Sequence, residues 1–258
     1  MKIKPILFNT EMVKAILAGR KTMTRRVFKD VNPQNAEWGY TMFTPKGKIS
    51  CRYDSPEGER LEGFYKLPYQ KGDTLYVRET WNYGYFDGSD AEGDNSSWFE
   101  EFHKTDGEYL KALSNYIYRA DFTEYKEYKF GTKDENGKRV KIPWHPSIHM
   151  PKEAARIWLK VTDVRVERLQ DITENDIEAE GANLEDWYDY DAYQRDAGAG
   201  LEREGIRVEY ATIKEFFAST VWNTTLKSEL DYEKYGWDAN PWVWVVEFER
   251  CEKPEEVN

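Results

Sequence analysis

The chain is poor in the residues that build disulfides, metal centres and membrane spans. Its 258 residues include only two cysteines and three histidines. Cys51 and Cys251 lie far apart without partner spacing, so they predict neither a disulfide framework nor a cysteine-based zinc motif. No apolar run reaches membrane-spanning length, and Met1-Lys2-Ile3-Lys4-Pro5 lacks the apolar core of a signal peptide. We therefore expect a cytoplasmic protein that uses no metal or other cofactor and does not contact a membrane.

Positive charge is also scarce. The chain has 37 Lys and Arg against 48 Asp and Glu, a net charge of −11. Such a surface repels a polyphosphate, which argues against binding long duplex nucleic acid. A local basic pocket for one nucleotide or a short single strand is still possible. The length suits a single domain spanning residues 1–258.

Cationic and hydroxyl side chains are most concentrated in Gly19-Arg20-Lys21-Thr22-Met23-Thr24-Arg25-Arg26-Val27. An apolar-periodic segment precedes this run, with Asn9 or Thr10 placed to cap a helix and Gly19 placed to end it. The threonines and Val27 then favour a strand. Because residues three apart in a strand face opposite sides, Lys21 and Thr24 can cooperate only if a turn or bulge falls between them.

Lys21 and Thr24 have the chemistry of a base and a nucleophile. A threonine hydroxyl is a weak nucleophile until a neighbouring group takes its proton. A lysine can take that proton if burial or nearby cations lower its pKa, and Arg20, Arg25 and Arg26 can supply those cations. The alternative is that the cations form a solvated face and the threonines are ordinary strand residues.

Hydrophobic periodicity predicts an α+β fold with a mostly antiparallel sheet that closes into a small barrel. Arg78 and Glu79 should face opposite sides of their strand, and whichever points inward needs a partner.

Residues 82–115 and 184–210 are predicted insertions, and 232–241 is a predicted turn-rich loop. The predicted strands are 4–8, 75–81, 114–120, 157–169 and 242–250, and 212–226 is a predicted helix.

Two further segments contribute candidate site residues. Three prolines make Pro143–Pro151 a stiff loop, and two histidines four apart do not form a metal set there without helical geometry or nearby carboxylates. We expect this loop to carry Ser147 or His149 to the rim of a pocket. Downstream, Thr173 opens a helix that ends at Gly181. Glu180 lies in its last turn, where the helix dipole disfavours a carboxylate, so we expect a cationic partner for it.

The run Leu17–Arg26 resembles the motif of the ASCH superfamily, whose PUA-like β-barrel is related to RNA-binding domains. Segments 146–151, 161–180 and 242–250 resemble phage and prophage members of that superfamily. The resemblance implies a small barrel flanked by helices and does not extend over the two predicted insertions.

The resemblance also implies an activity. Small bacterial ASCH amidohydrolases that remove the acetyl group of acetylcytidine carry a Lys, a Thr three residues later and a Glu in the helix after a long strand. By this resemblance Thr24 is the nucleophile, Lys21 its base and Glu180 the group that orients Lys21 or shuttles its proton, with Glu178 as a competitor. Substrate contacts are expected from a further set: Arg20, Arg25, Arg26, Ser147 and His149.

Three functions are therefore expected, in decreasing order. The first is amide hydrolysis of an N-acylated pyrimidine nucleoside. The second is a non-catalytic module that binds a modified base or short single-stranded RNA on stacking aromatics. The third is a metal-dependent ribonuclease, an activity that the superfamily resemblance also implies.

Overall fold

A computed structural model gives the fold for residues 2–28, 42–44, 48–54, 60–84, 115–123, 141–184 and 212–255. The first five strands are β1 (Ile3–Leu7), β2 (Met23–Val27), β3 (Met42–Thr44), β4 (Lys48–Asp54) and β5 (Arg60–Lys66). The others are β6 (Thr74–Arg78), β7 (Trp81–Gly84), β8 (Asn115–Tyr118), β9 (Trp158–Arg168) and β10 (Trp242–Cys251). The helices are α1 (Thr10–Leu17), α2 (Glu174–Ala179), α3 (Ile213–Phe217) and α4 (Glu229–Tyr235).

The main sheet has five strands in the order β1-β6-β9-β10-β2. Hydrogen bonds from Thr74 N to Lys2 O and from Phe8 N to Arg78 O advance together along β1 and β6, so these strands run parallel. Strands β10 and β2 pair antiparallel. The predicted mixture of helices and sheet is confirmed. Among the described strands the sheet is open, with β1 and β2 at its edges, and does not close into a barrel.

Two smaller sheets account for the other strands. Strands β3, β4 and β5 form an antiparallel meander, and β7 pairs antiparallel with β8. The predicted insertion 82–115 thus begins in β7 and ends in β8. Its residues 85–114 lie outside the described part of the chain, as do residues 185–210 of the second predicted insertion.

The helix boundaries near the site follow from local sequence. The Asn9 side chain accepts a hydrogen bond from Met12 N at 2.8 Å at the start of α1. Gly19 follows the helix with a φ of +76°, the left-handed conformation that glycine adopts at low cost. Thr173 caps α2 in a capping box with Asp176. These predicted helix ends are confirmed.

Two predicted elements differ from the structure. The predicted strand 75–81 is two strands, β6 and β7, separated by Glu79 and Thr80. The prediction of a loop over 232–241 is wrong in its first part, because Ser228 accepts from Asp231 N and caps α4. No helix in the described ranges is both long enough and apolar enough to cross a lipid bilayer.

The chain divides into two compact units built from interleaved segments. Unit 1 comprises Met1–Lys2, Ala15–Thr74 and Lys160–Arg250, and unit 2 comprises Ile3–Lys14, Leu75–Leu159 and Cys251–Asn258. The core of unit 1 contains Met23, Leu169, Ile172, Ile177, Ala182, Phe217, Trp222, Val243 and Val245. The core of unit 2 contains Trp81, Met150, Ala154, Ala155 and Trp158.

Candidate functional site

Lys21 lies in unit 1, in the connection between α1 and β2. Its backbone N–H donates to Ala15 O at 3.1 Å, and the N–H of Thr22 donates to Ala179 O at 2.8 Å. The connection is therefore held by carbonyl groups of the last turn of α1 on one side and of α2 on the other. β2 begins at Met23, so Lys21 lies two residues before the strand that carries Thr24, and the turn assigned here comes before Lys21, at residues 18–19.

Lys21 is the cationic partner that the sequence predicted for Glu180. Lys21 Nζ donates to Glu180 Oε2 at 2.8 Å and to the backbone oxygen of Glu180, also at 2.8 Å. The Lys21 side chain is fully buried and that of Glu180 is 4% exposed. Since Glu180 is the C-cap of α2, the ammonium group also lies at the negative end of the helix dipole. Glu178, the competing candidate, is exposed.

Gly181 allows α2 to end this close to Lys21. Its φ is +87°, and a Cβ at this position would lie 2.8 Å from Ala15 Cβ and 2.9 Å from Lys21 Cβ. Both distances are shorter than real carbon contacts allow. Arg20 Nη1 donates to Gly181 O at 3.0 Å from the exposed side of the connection. Gly181 therefore sets the position from which Glu180 reaches Lys21.

Arg25 holds the other side of Glu180. Its Nη1 lies 3.4 Å from Glu180 Oε1, while Nη2 donates to Glu167 Oε1 at 2.6 Å and to Asp176 Oδ2 at 2.9 Å. The Arg25 side chain is fully buried. A buried guanidinium requires such carboxylates, and here each comes from β9 or from α2 and its C-cap. The contacts assign Arg25 to positioning the carboxylates.

A second arginine extends this network. Arg165 Nε donates to Glu167 Oε2 at 2.9 Å, and Arg165 Nη1 contacts the Glu247 carboxylate. Asp176 also accepts from the Thr173 N–H in the capping box. Burial acts to raise the pKa of Asp176, but the Thr173 hydrogen bonds and the Arg25 charge outweigh it and lower that pKa. Asp176 therefore connects the capping box at the start of α2 with Arg25, the residue that positions Glu180.

The electrostatic surroundings of Lys21 favour its neutral amine more than water does. Burial is the largest influence and lowers the pKa of Lys21, and the positive charges of Arg26 and Arg25 lower it further. The charge and hydrogen bond of Glu180 act in the opposite direction without cancelling the effect. A lowered pKa increases the share of the neutral amine, which is the form of lysine that can accept a proton.

Thr24 is buried on the face of β2 opposite to Arg25. It is 2% exposed and pairs across the strand with Val246. Arg25 shares its face with Met23 of the core, so alternation places Thr24 and Arg26 on the other face. Among the described residues, no hydrogen bond to the Thr24 hydroxyl is present.

Arg26 shares the Thr24 face with two aromatic residues. Trp244 pairs across the strands with Arg26, and its ring centroid lies 5.7 Å from that of Tyr69. Burial lowers the pKa of Arg26 and raises the pKa of Tyr69, and the charge of Arg26 acts on Tyr69 in the opposite sense. The strand register and the ring contact thus place Arg26 and Tyr69 each next to Trp244.

The other predicted substrate contacts are divided between the two units. Ser147 and His149 belong to unit 2, in a 3-10 turn at Ser147–His149 within the proline-bounded loop. The side chain of His149 is exposed and that of Ser147 is partly buried. Arg20 is exposed and binds the Gly181 carbonyl. Among the described residues, no group of three His, Cys, Asp or Glu side chains is arranged to hold a metal ion.

Unit 2 contains a separate buried ion pair. Glu79 is 1% exposed and accepts from Arg156 Nε at 2.9 Å and from Arg156 Nη2 at 3.0 Å. This is the partner that the sequence required for whichever of Arg78 and Glu79 points inward. Burial acts to lower the pKa of Arg156, but hydrogen bonds to Glu79 and Asp121 outweigh it and raise that pKa. The Arg156 guanidinium also stacks 3.9 Å from the centroid of the Tyr118 ring, so its donors and its face are both engaged.

Sequence reasoning did not find two parts of the site. The carboxylates around Arg25 come from positions 142 to 155 residues away in the chain, a separation that local patterns do not reveal. The pairing of Tyr69 with Trp244 likewise depends on tertiary structure. The one available signal was alternation in β2, which places Arg25 and Arg26 on opposite faces. Comparison of the chain with protein-family models, with curated proteins and with solved structures gave no significant match.

Proposed function

We propose that the protein hydrolyses the exocyclic amide of an N-acylated pyrimidine nucleoside. The supporting observation is the buried Lys21 amine, held by Glu180 and the end of α2, three residues before the buried Thr24. Membership of the ASCH superfamily and a phage or prophage relationship belong to this proposal, and their support is the resemblance of Leu17–Arg26 and the segments around Glu180 and β10. A cytoplasmic location also belongs to it, supported by the scarcity of cysteine and the absence of a signal-peptide pattern in the sequence.

In the proposed reaction Thr24 attacks the acyl carbonyl carbon. Neutral Lys21 accepts the hydroxyl proton as the new C–O bond forms, and the carbonyl electron pair moves to oxygen. When the C–N bond breaks, the leaving exocyclic nitrogen takes that proton from Lys21. A water then attacks the acyl-threonine with Lys21 again as base, which releases the carboxylic acid and restores Thr24.

The other side chains assist without changing the atom balance. Glu180 orients the Lys21 amine and stabilises the ammonium formed in each step. A backbone N–H near Gly19 supplies the hydrogen bond for the developing oxyanion. Arg26 lies on the same strand face as Thr24 and adds positive charge to that face. Arg25 acts through Glu180, because its donors are occupied by carboxylates.

A non-catalytic module that binds a modified base or short single-stranded RNA is the second candidate. The observation that favours it is the Tyr69–Trp244 pair beside Arg26, since aromatic rings and arginine are the side chains on which unpaired bases stack. The two candidates differ in whether Thr24 reacts. The metal-dependent ribonuclease is the weaker alternative, and a chelator tests it.

The experiment is a chromatographic screen of acylated nucleosides with wild-type protein and three threonine variants. Thr24→Val removes the hydroxyl at nearly constant shape and should abolish turnover, while Thr24→Ser should retain part of it. Thr22→Val is the matched control, because Thr22 is exposed in the same segment. Both valine variants should unfold within about 1 kcal/mol of wild type.

Turnover that survives in Thr24→Val would refute the nucleophile assignment. Complete loss of turnover with a chelator would favour the ribonuclease. Absence of turnover for every acylated nucleoside, together with binding of single-stranded RNA, would favour the binding module.

A further inference from the structure

The Thr24 face of the β2–β10 ladder places a reacting group and an aromatic surface side by side. The register pairs Thr24 with Val246 and Arg26 with Trp244, so both pairs share one face. Residues two apart along a strand are about 7 Å apart. This distance is on the scale of one acylated base. A ring resting against Trp244 can therefore extend its exocyclic acyl group along the strand toward Thr24.

Tyr69 adds a second ring to this face. It lies in the connection between β5 and β6, and its ring is inclined by 48° to that of Trp244 at 5.7 Å. Tyr69 and Trp244 are both half-buried residues. The Trp244 indole N–H donates to Val27 O at 3.3 Å. With that donor engaged, the accessible contribution of Trp244 is the face or edge of its ring.

Arg26 gives the face a directional donor. It lies opposite Trp244 in the β2–β10 register, on the face that carries Thr24. A guanidinium donates in a fixed fork and suits a carbonyl oxygen and an adjacent ring nitrogen. Cytosine presents that acceptor pair in its carbonyl oxygen and the adjacent unprotonated ring nitrogen. An aliphatic amide presents neither the ring nor the second acceptor.

We propose that Trp244, Tyr69 and Arg26 form the subsite that holds the base ring of the substrate. The aromatic pair stacks against the ring and Arg26 donates to its carbonyl oxygen. This inference rests on the proposed function for its reacting group, while the subsite itself concerns recognition of a pyrimidine nucleoside. It makes these three residues the determinants that distinguish an acylated base from a simple amide.

The test measures binding of cytidine, the deacylated product, by calorimetry, together with kcat/KM for acetylcytidine. Trp244→Leu and Tyr69→Leu should each weaken cytidine binding by roughly tenfold to hundredfold, the usual effect of losing one stacking ring. Trp244→Phe keeps a ring and should bind within a few-fold of wild type. Tyr232→Leu is the matched control in the same unit, because Tyr232 is 47% exposed on α4 and should leave binding unchanged.

The outcomes separate the subsite from the reaction. If wild type hydrolyses acetylcytidine but Trp244→Leu and Tyr69→Leu bind and react normally, the subsite is refuted and the proposed function stands. If nothing is hydrolysed but cytidine binding depends on the two rings, the subsite stands and the proposed function fails. If wild type binds single-stranded RNA but no free nucleoside, or if cytidine does not bind at all, the nucleoside subsite is refuted.

Discussion

At the scale of the residue, Lys21 is held in a balance between two protonation states. Glu180 and the C-terminal carbonyl of α2 stabilise the ammonium, while burial and two arginines favour the amine. A general base must pass between its ammonium and amine forms in each turnover. Opposing influences suit this role, because neither form is then strongly favoured over the other. Arginine at position 21 would keep its charge and could not accept a proton.

The pH dependence of turnover follows from this balance. Only neutral Lys21 accepts the Thr24 proton, so kcat should rise with pH and level off above a pKa lower than the ordinary value of 10.5. Arg26→Gln removes a cation and should raise that pKa, shifting the midpoint to higher pH. Glu180→Gln removes an anion and should shift it to lower pH.

Measurement of kcat against pH for the three proteins checks both directions. Unchanged midpoints in both variants would show that another group limits the rate. A shift of both variants in the same direction would contradict the assignment of Lys21 as the base.

At the scale of the element, the end of α2 depends on the lack of a side chain at Gly181. Gly181→Ala adds a strained left-handed alanine and also a Cβ that meets Ala15 and Lys21 below 3 Å. Gly19→Ala has the same type of backbone strain with φ +76°, but no atom lies within 4 Å of its new Cβ. The pair therefore separates conformational strain from collision.

Urea unfolding should show this difference. Gly19→Ala should lower the free energy of unfolding by about 1–2 kcal/mol, the cost of left-handed backbone for a residue with a Cβ. Gly181→Ala should lower it by at least about 1 kcal/mol more, because Ala15 or Lys21 must move. Equal losses in the two variants would mean that α2 shifts freely and does not fix Glu180.

Elements that depend on local chemistry were predictable from sequence, and those that depend on distant packing were not. Thr173 and Asp176 lie three residues apart, and their capping box is visible in the sequence. The helix after Ser228 was missed because its residues are mostly charged or aromatic. Without a periodic set of apolar residues after it, Ser228 was not recognised as a helix cap. The partners of Arg25 could not be inferred, since β2, β9 and α2 meet only in the folded chain. The open sheet edge at β2 was missed for the same reason.

At the scale of the whole molecule, the charge of −11 distinguishes the candidate ligands. An uncharged nucleoside releases no counterions, so its affinity should change little between about 50 mM and about 200 mM salt. A single strand of RNA that neutralises several phosphates should weaken steeply over the same range. Calorimetric titrations of cytidine and of a short oligonucleotide at both salt concentrations check this prediction.

A flat response for cytidine with no oligonucleotide binding supports a small substrate. A steep response to salt, with the oligonucleotide bound more tightly than cytidine, would contradict the nucleoside hydrolase and favour the RNA-binding module.

The position of β10 between β9 and β2 bears on when the site can form during synthesis. Within the main sheet, β2 pairs with β10 alone, and β10 begins at Trp242, more than two hundred residues after Lys21. Most of the chain has therefore been synthesised before β10, the partner of β2, leaves the ribosome. Until then Lys21 lacks its final strand context, and a nascent or truncated chain cannot present Thr24 and Trp244 together. The protein should therefore be inactive during its synthesis, and function should begin only when β10 pairs with β2.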